Sequence, residues 1–296
     1  MSPAAARPWR AALFLTALAV AVRLPFLHAP LDRDEGCYAY ASAGMLHGLL
    51  PYRDANLQRP PLLFACYLPV AALANGVTER FRLLALVYPV ATTLLVWRLG
   101  VALGGAGVGV LAGALCAVLS ADPSVDGWTL NAEMVMLPFT VAAALAWWRA
   151  LQSRRRRTAF ASGLWLGAAA LIKPVALPQL LLAAAACDGA GRRRAGAAWR
   201  LVLAHGAGGA AAGAAGVLAV VLAGLGPDAA RSFREGVGYV TGVSLGMFRW
   251  YGVALGNAAL TQGAVWVLAA AGCCASAPRR NSSWAASAPG PGAVRW

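Results

Sequence analysis

Charged side chains are scarce in this sequence. Asp, Glu, Lys and Arg make up 12% of its 296 residues, where a soluble domain carries roughly 25%. That shortage excludes a water-facing surface over most of the chain. Acids are scarcer than bases, with 11 Asp and Glu against 25 Lys and Arg, a net charge of +14. The excess does not point to nucleic acid. The arginines cluster between apolar runs, as they do in the loops that orient membrane proteins. Six cysteines show no metal-ligand spacing, which excludes a metal site of recognisable cysteine pattern. What is abundant is apolar: 60% of the residues are hydrophobic, and mean hydropathy is +0.63. They come in runs of about 15–25, the length needed to cross a bilayer as helix. The fold class is all-α, a polytopic α-helical membrane protein.

Arg7 and Arg10 precede the first apolar run, Ala11–Val22, which continues past Arg23 into Leu24-Pro25-Phe26-Leu27. We read it as an uncleaved first helix with its N-terminus inside, rather than as a signal peptide. Arg23 then lies near the outer end, either snorkelling to the interface or contacting a phosphate. Residues 29–82 form a long outer loop, in which Gly36–Leu49 has helical spacing and lies flat on the membrane. Pro60-Pro61 excludes helix interior up to that point. The run Pro61–Ala74 is about 14 residues long and is interrupted by Pro69. A run of that length is interfacial or re-entrant rather than spanning.

The arginines decide the same question. If 61–74 spans, Arg154-Arg155-Arg156-Arg157 falls outside. If it does not, Arg98, the 154–157 run, Arg192-Arg193-Arg194 and Arg279-Arg280 all fall inside, as the positive-inside rule requires. The second topology also places every acid except Asp188 outside. It predicts about eight transmembrane helices over residues 1–275, at 11–22, 83–99, 106–120, 134–149, 159–172, 175–187, 201–225 and 253–274. Further outer segments fall at 122–133 and 227–251. Residues 276–296, rich in Pro, Ser and Ala, read as a disordered tail. His205 and the glycines after it form a small-residue face that lets helices approach closely.

The densest charge in the chain is Asp32-Arg33-Asp34-Glu35, just after the first helix. Asp34 and Glu35 are the candidate catalytic carboxylates, because paired acids at a lipid interface make a proton acceptor. Arg33, Arg53, Arg59, Arg80, Arg82 and Lys173 are cations near the same surface and suit an anionic headgroup. The competing reading is a solvated loop of ion pairs. Asp32, Asp34, Glu35 and Glu133 offer oxygens to a divalent cation, but no His or Cys accompanies them and no metal is demanded.

The run Asp34-Glu35-Gly36-Cys37-Tyr38 resembles the first-loop motif of the GT-C glycosyltransferases. It is most similar to the branch of protein O-mannosyltransferases and aminoarabinose transferases, glycosyltransferase family 39. Gln58-Arg59-Pro60-Pro61-Leu62-Leu63-Phe64, Arg82-Leu83-Leu84, Arg98-Leu99-Gly100 and Leu171-Ile172-Lys173-Pro174 resemble that branch in order. Asn131-Ala132-Glu133 is similar to its second acidic loop. The resemblance covers about residues 10–190. It implies an enzyme moving a hexose or pentose from a polyprenyl-phosphate carrier to a lipid, glycan or protein acceptor on the extracytoplasmic face. It implies Asp34 as general base, Glu35 positioning the acceptor or tuning Asp34, and Arg59 and Lys173 on the carrier phosphate. Arg33, Tyr38, Glu133 and Arg53 complete the expected substrate-binding set. The expected location is the cell inner membrane. Family members run longer, so the chain reads as C-terminally truncated. A transporter and an inactive remnant of such a transferase are the alternative functions. Transport needs ionisable or broken-helix sites near mid-membrane, and here the charges sit in outer loops.

Overall fold

Helix α1, Pro8–Ala21, ends where Arg23, Pro25 and a 3₁₀ turn at Leu24–Phe26 take over. The structure is a computed structural model that describes residues 8–55, 57–123, 126–180 and 195–241, all inside the compact unit Met1–Gly242. The elements that follow are α2 (Arg33–Met45), α3 (Pro61–Ala74), α4 (Thr78–Ala85), α5 (Val87–Leu119), α6 (Ala132–Ser153) and α7 (Arg156–Ala170). A 3₁₀ turn (Pro174–Ala176), α8 (Ala195–Leu222) and α9 (Gly226–Thr241) complete them. The chain is thus a polytopic helical membrane protein. Four helical stretches among the described residues are long and apolar enough to cross a bilayer: Pro8–Phe26, Thr78–Leu119, Ala132–Ser153 and Ala198–Leu222.

The second and third of the expected helices are the two arms of α5, joined through Gly105. Gly105 adopts φ 86°, ψ −178° inside α5, a conformation that only glycine enters cheaply. The helix reverses there. A Cβ on Gly100 would lie 2.9 Å from Gly109 Cα, and one on Gly109 would lie 2.8 Å from the Trp97 carbonyl oxygen. The arms 87–104 and 106–119 therefore pack backbone to backbone through glycine. Gly113 in turn makes room for Leu15 of α1, whose Cδ1 would sit 2.9 Å from an added Cβ.

Helix α3 does not cross the bundle. At its start the Leu62 amide donates to the Leu171 carbonyl, beyond the end of α7. At its finish Asn75 and Gly76 turn the chain at positive φ, 48° and 75°, a step Asn and Gly tolerate. This delivers α4, whose Arg82 meets Glu35, and Glu35 in turn accepts from the Leu130 amide beside α6. Both ends of α3 are therefore tied to the same group of elements, the end of α7 and the α2–α4 contact beside α6. Buried Leu63, Tyr67 and Val70 of α3 join Tyr38, Phe81, Leu130 and Val135 in the main core.

Helices α7 and α8 pack backbone to backbone. An added Cβ on Gly163 would lie 1.9 Å from the His205 carbonyl oxygen, and one on Gly208 would lie 2.1 Å from that of Phe160. The small-residue run of α8 thus meets a matching one on α7. His205 is buried with its ring 5.0 Å from that of Trp147. We expect Gly163→Ala to force the two backbones apart at a cost of about 3 kcal/mol or more. The same change at Gly206, which has open space around it, is the control. Thermal unfolding of the two variants in detergent checks this.

Residues 226–241 form a helix where the sequence suggested only an outer segment. Its Ala229 is buried with Leu225, Tyr52, Phe64 and Ala41, and its Phe233 ring lies 6.2 Å from that of Tyr52. One apolar stripe closes it onto the first loop. The expected helix at 253–274, most of that at 175–187 and the tail at 276–296 lie outside the described residues.

Candidate active site

The site is built on the first turn of α2. Asp32 caps that helix, its side chain accepting from the Asp34 amide at 3.3 Å. Glu35 reaches back to accept from the Asp32 amide at 3.1 Å, completing a capping box. Two of the three clustered acids thus hold backbone donors that a helix start leaves unpaired.

Glu35 is also fully buried. Its Oε1 accepts from Arg82 Nη1 at 2.6 Å and from the Leu130 amide. Arg82, itself buried, donates from Nη2 to the Pro30 carbonyl at 2.8 Å and lies with its guanidinium carbon 4.8 Å from the Trp128 ring centroid. One ion pair therefore joins α2, α4, the end of the first helical segment and the 121–131 loop. Such a pair survives burial because hydrogen bonds satisfy what remains of both charges.

Asp34, next in sequence, is different. Its side chain is 41% exposed. Oδ2 accepts from the Tyr38 hydroxyl at 3.0 Å and from Arg59 Nη2 at 3.4 Å. Oδ1 lies 3.8 Å from Nε of the exposed Arg33. Tyr38 follows Asp34 by one helical turn, so the two share a face. Arg59 Nε donates to the Tyr38 hydroxyl at 2.6 Å. The phenol therefore sits between carboxylate and guanidinium, donating to one and accepting from the other. Burial pushes the Tyr38 phenol up to about 12, against the pull of Arg59, so it keeps its proton. Burial works to lower the Arg59 guanidinium, but Tyr38 and Asp34 outweigh it and hold it above its ordinary value. Arg59 is placed by the Tyr52 hydroxyl, which donates to the Arg59 carbonyl at 2.9 Å, and by the prolines that follow.

A third acid–base pair lies at the same end. Lys173, the only lysine in the sequence, pairs with Glu133 in the first turn of α6. The Leu62–Leu171 hydrogen bond ties the segment that carries Lys173 to the start of α3, three residues after Arg59. Arg53 goes elsewhere: its Nε donates to Asp228 of α9 at 2.9 Å. Among the described residues no three of His, Cys, Asp and Glu gather to hold a metal ion.

A groove of about 360 Å³ is lined by side chains and glycines that include Pro60, Pro61, Leu171, Pro174, Val220 and Phe233, with no charged residue in its wall. Arg59 directly precedes its first lining residue, and Lys173 directly precedes Pro174. Apolar wall and cations are thus neighbours in the chain on both sides of the groove.

The structure brings Asp34, Tyr38 and Arg59 into one cluster and leaves Arg33 at its exposed edge. It pairs Glu133 with Lys173, sinks Glu35 beneath the cluster, and commits Arg53 to α9. The part played by Arg82 was not legible from its own surroundings, because its partner lies 47 residues away. The capping box did have a signal, an Asp followed three residues later by Glu.

A sequence profile described as dolichyl-phosphate-mannose-protein mannosyltransferase matches residues 58–222, more than half of the chain. The match takes in Arg59, Arg82, Glu133 and Lys173, and begins after Asp34, Glu35 and Tyr38. No curated protein and no solved structure matches the chain.

Proposed function

The chain belongs to the dolichyl-phosphate-mannose-protein mannosyltransferase family, a membrane glycosyltransferase family, and from that premise we propose how it transfers sugar. The donor is a hexose or pentose on a polyprenyl phosphate, and the acceptor is a hydroxyl of a lipid, glycan or protein on the extracytoplasmic face. Asp34 is the general base. The observation that carries this reading is the Asp34–Tyr38–Arg59 cluster, which sets a proton acceptor beside a cation that directly precedes Pro60, the first lining residue of an apolar groove.

In the step proposed, the acceptor O–H proton passes to Asp34 and the acceptor oxygen bonds to the anomeric carbon. The bond from that carbon to the phosphate oxygen breaks, and its electron pair stays on the polyprenyl phosphate. The leaving group is already a stable anion, so no strong general acid is needed. Base on one side and cation on the other supply the catalysis. Arg59 offers a fork of donors to that anion, and Lys173 a point charge. The prenyl chain lies along the groove between Pro60 and Phe233. Tyr38 fixes the distance between acid and guanidinium, and Glu35 holds the helix turn that presents Asp34. Arg33 and Glu133 border the headgroup, and Arg53 supports the groove through Asp228. The reaction as drawn uses no metal, since protein cations take the phosphate charge. The proposed setting is the cell inner membrane, N-terminus cytoplasmic.

Transfer from a radiolabelled polyprenyl-phosphate sugar in vesicles tests the reading. Arg59→Gln is expected to raise the KM for that donor roughly tenfold or more, since a charge-assisted hydrogen bond contributes about 1.5–3 kcal/mol. Transfer from a nucleotide sugar but not from the lipid-linked one would overturn the donor assignment. Solute flux without sugar transfer would make the chain a transporter.

A further inference from the structure

Resting on that reading, we propose that Arg23 is a positioning residue, anchoring a loop that sets the two halves of the site against each other. Arg23 turns inward rather than toward the interface, and it is 7% exposed. Its Nη1 donates to the Ala19 carbonyl at 3.2 Å and the Ala117 carbonyl at 3.4 Å. Its Nη2 donates to the Ser120 carbonyl at 2.9 Å, the Ser120 hydroxyl at 3.0 Å and the Gly127 carbonyl at 3.5 Å. The guanidinium therefore ties the C-terminal ends of α1 and α5, where helix carbonyls favour a cation, to Gly127 at the start of the run that leads into α6.

From Gly127 the loop runs straight to both halves of the site. Trp128 stacks on Phe26 with centroids 5.4 Å apart and faces the Arg82 guanidinium. The Thr129 hydroxyl donates to the Asp126 carbonyl at 2.7 Å, stiffening the turn. The Leu130 amide donates to Glu35, beneath Asp34. Asn131 caps α6, accepting from the Met134 amide at 2.9 Å. Two residues on, Glu133 holds Lys173. A short stretch clamped at one end by Arg23 thus holds the support of the base and the partner of the phosphate cation. Lysine cannot replace this arginine, because one ammonium has no planar fork to span two helix ends and a loop.

Two measurements on the full chain test the proposal. In hydrogen–deuterium exchange, Arg23→Lys is expected to speed amide exchange over 126–133 and over 32–38, leaving the α7–α8 contact unchanged. Acceleration confined to the ends of α1 and α5 overturns the proposal. In transfer assays, Arg23→Lys and Glu133→Gln each lower kcat roughly tenfold. If both act through the loop, the double variant stays near tenfold, whereas independent sites multiply to roughly a hundredfold, which also overturns it. Should Arg23→Lys fail to fold, Ser120→Ala, which removes one acceptor, carries the same exchange test. If Asp34→Asn leaves transfer intact, the base assignment fails, and the exchange result still decides the role of Arg23.

Discussion

Replacing Asp34 by Asn is expected to lower the rate of sugar transfer by a factor of about 10²–10⁴, the usual contribution of a general base. The substitution keeps the side chain's shape and an oxygen able to accept from Tyr38 and Arg59, as Oδ2 does now. Folding and donor affinity should therefore hold, and the loss should appear in kcat with KM little changed. Asp34 is well suited to the comparison because its side chain is 41% exposed. No buried charge is abandoned when it is neutralised. Equal turnover by the Asn variant would move the base elsewhere. Comparable loss in both kcat and folded yield would make Asp34 a structural group.

The second large effect is on stability. Arg82→Leu is expected to destabilise the fold by about 3–5 kcal/mol, because it strands a buried carboxylate without its counter-charge. Glu35 is fully buried, so water cannot replace the guanidinium. The Ala29 and Pro30 carbonyls lose their donor as well. The double variant Arg82→Leu with Glu35→Leu should recover part of that loss, since well-packed apolar residues often match a buried ion pair. Limited proteolysis and thermal unfolding in detergent measure both. A double variant no better than Arg82→Leu alone would place the energy in the carbonyl contacts and not in the pair.

These two acids stand side by side in the chain and have opposite fates, which bears on how much of the site the sequence discloses. Composition and run length were enough for the class of fold. The shortness of Pro61–Ala74 was legible as well, and the structure gives it as a 14-residue helix with Pro69 inside. Asp34, Tyr38 and Arg59 entered the site through the family resemblance; what gathers them in the fold is one turn of α2 and the segment before Pro60. The separate duty of Glu35 did not follow. Its spacing from Asp32 is a capping signal, but three acids in four residues read first as chemistry. The pairings Arg82–Glu35 and Arg53–Asp228 depend on where helices cross, 47 and 175 residues apart in the chain, and local composition carries no trace of that. Helix α9 was hidden for another reason. Its polar face matches that of a loop, and only the Ala229 and Phe233 stripe, packed on Tyr52, distinguishes it.

Helix α3 has a consequence for how the protein is made. Its 14 residues fall just under the roughly 17–25 that an inserting segment needs to settle across a bilayer. In the proposed topology the nascent chain passes this stretch without committing it as a crossing; a crossing there would reverse every later segment. In that topology, the compartment that Asp34 faces would thus be set during synthesis by a near miss in hydrophobic length.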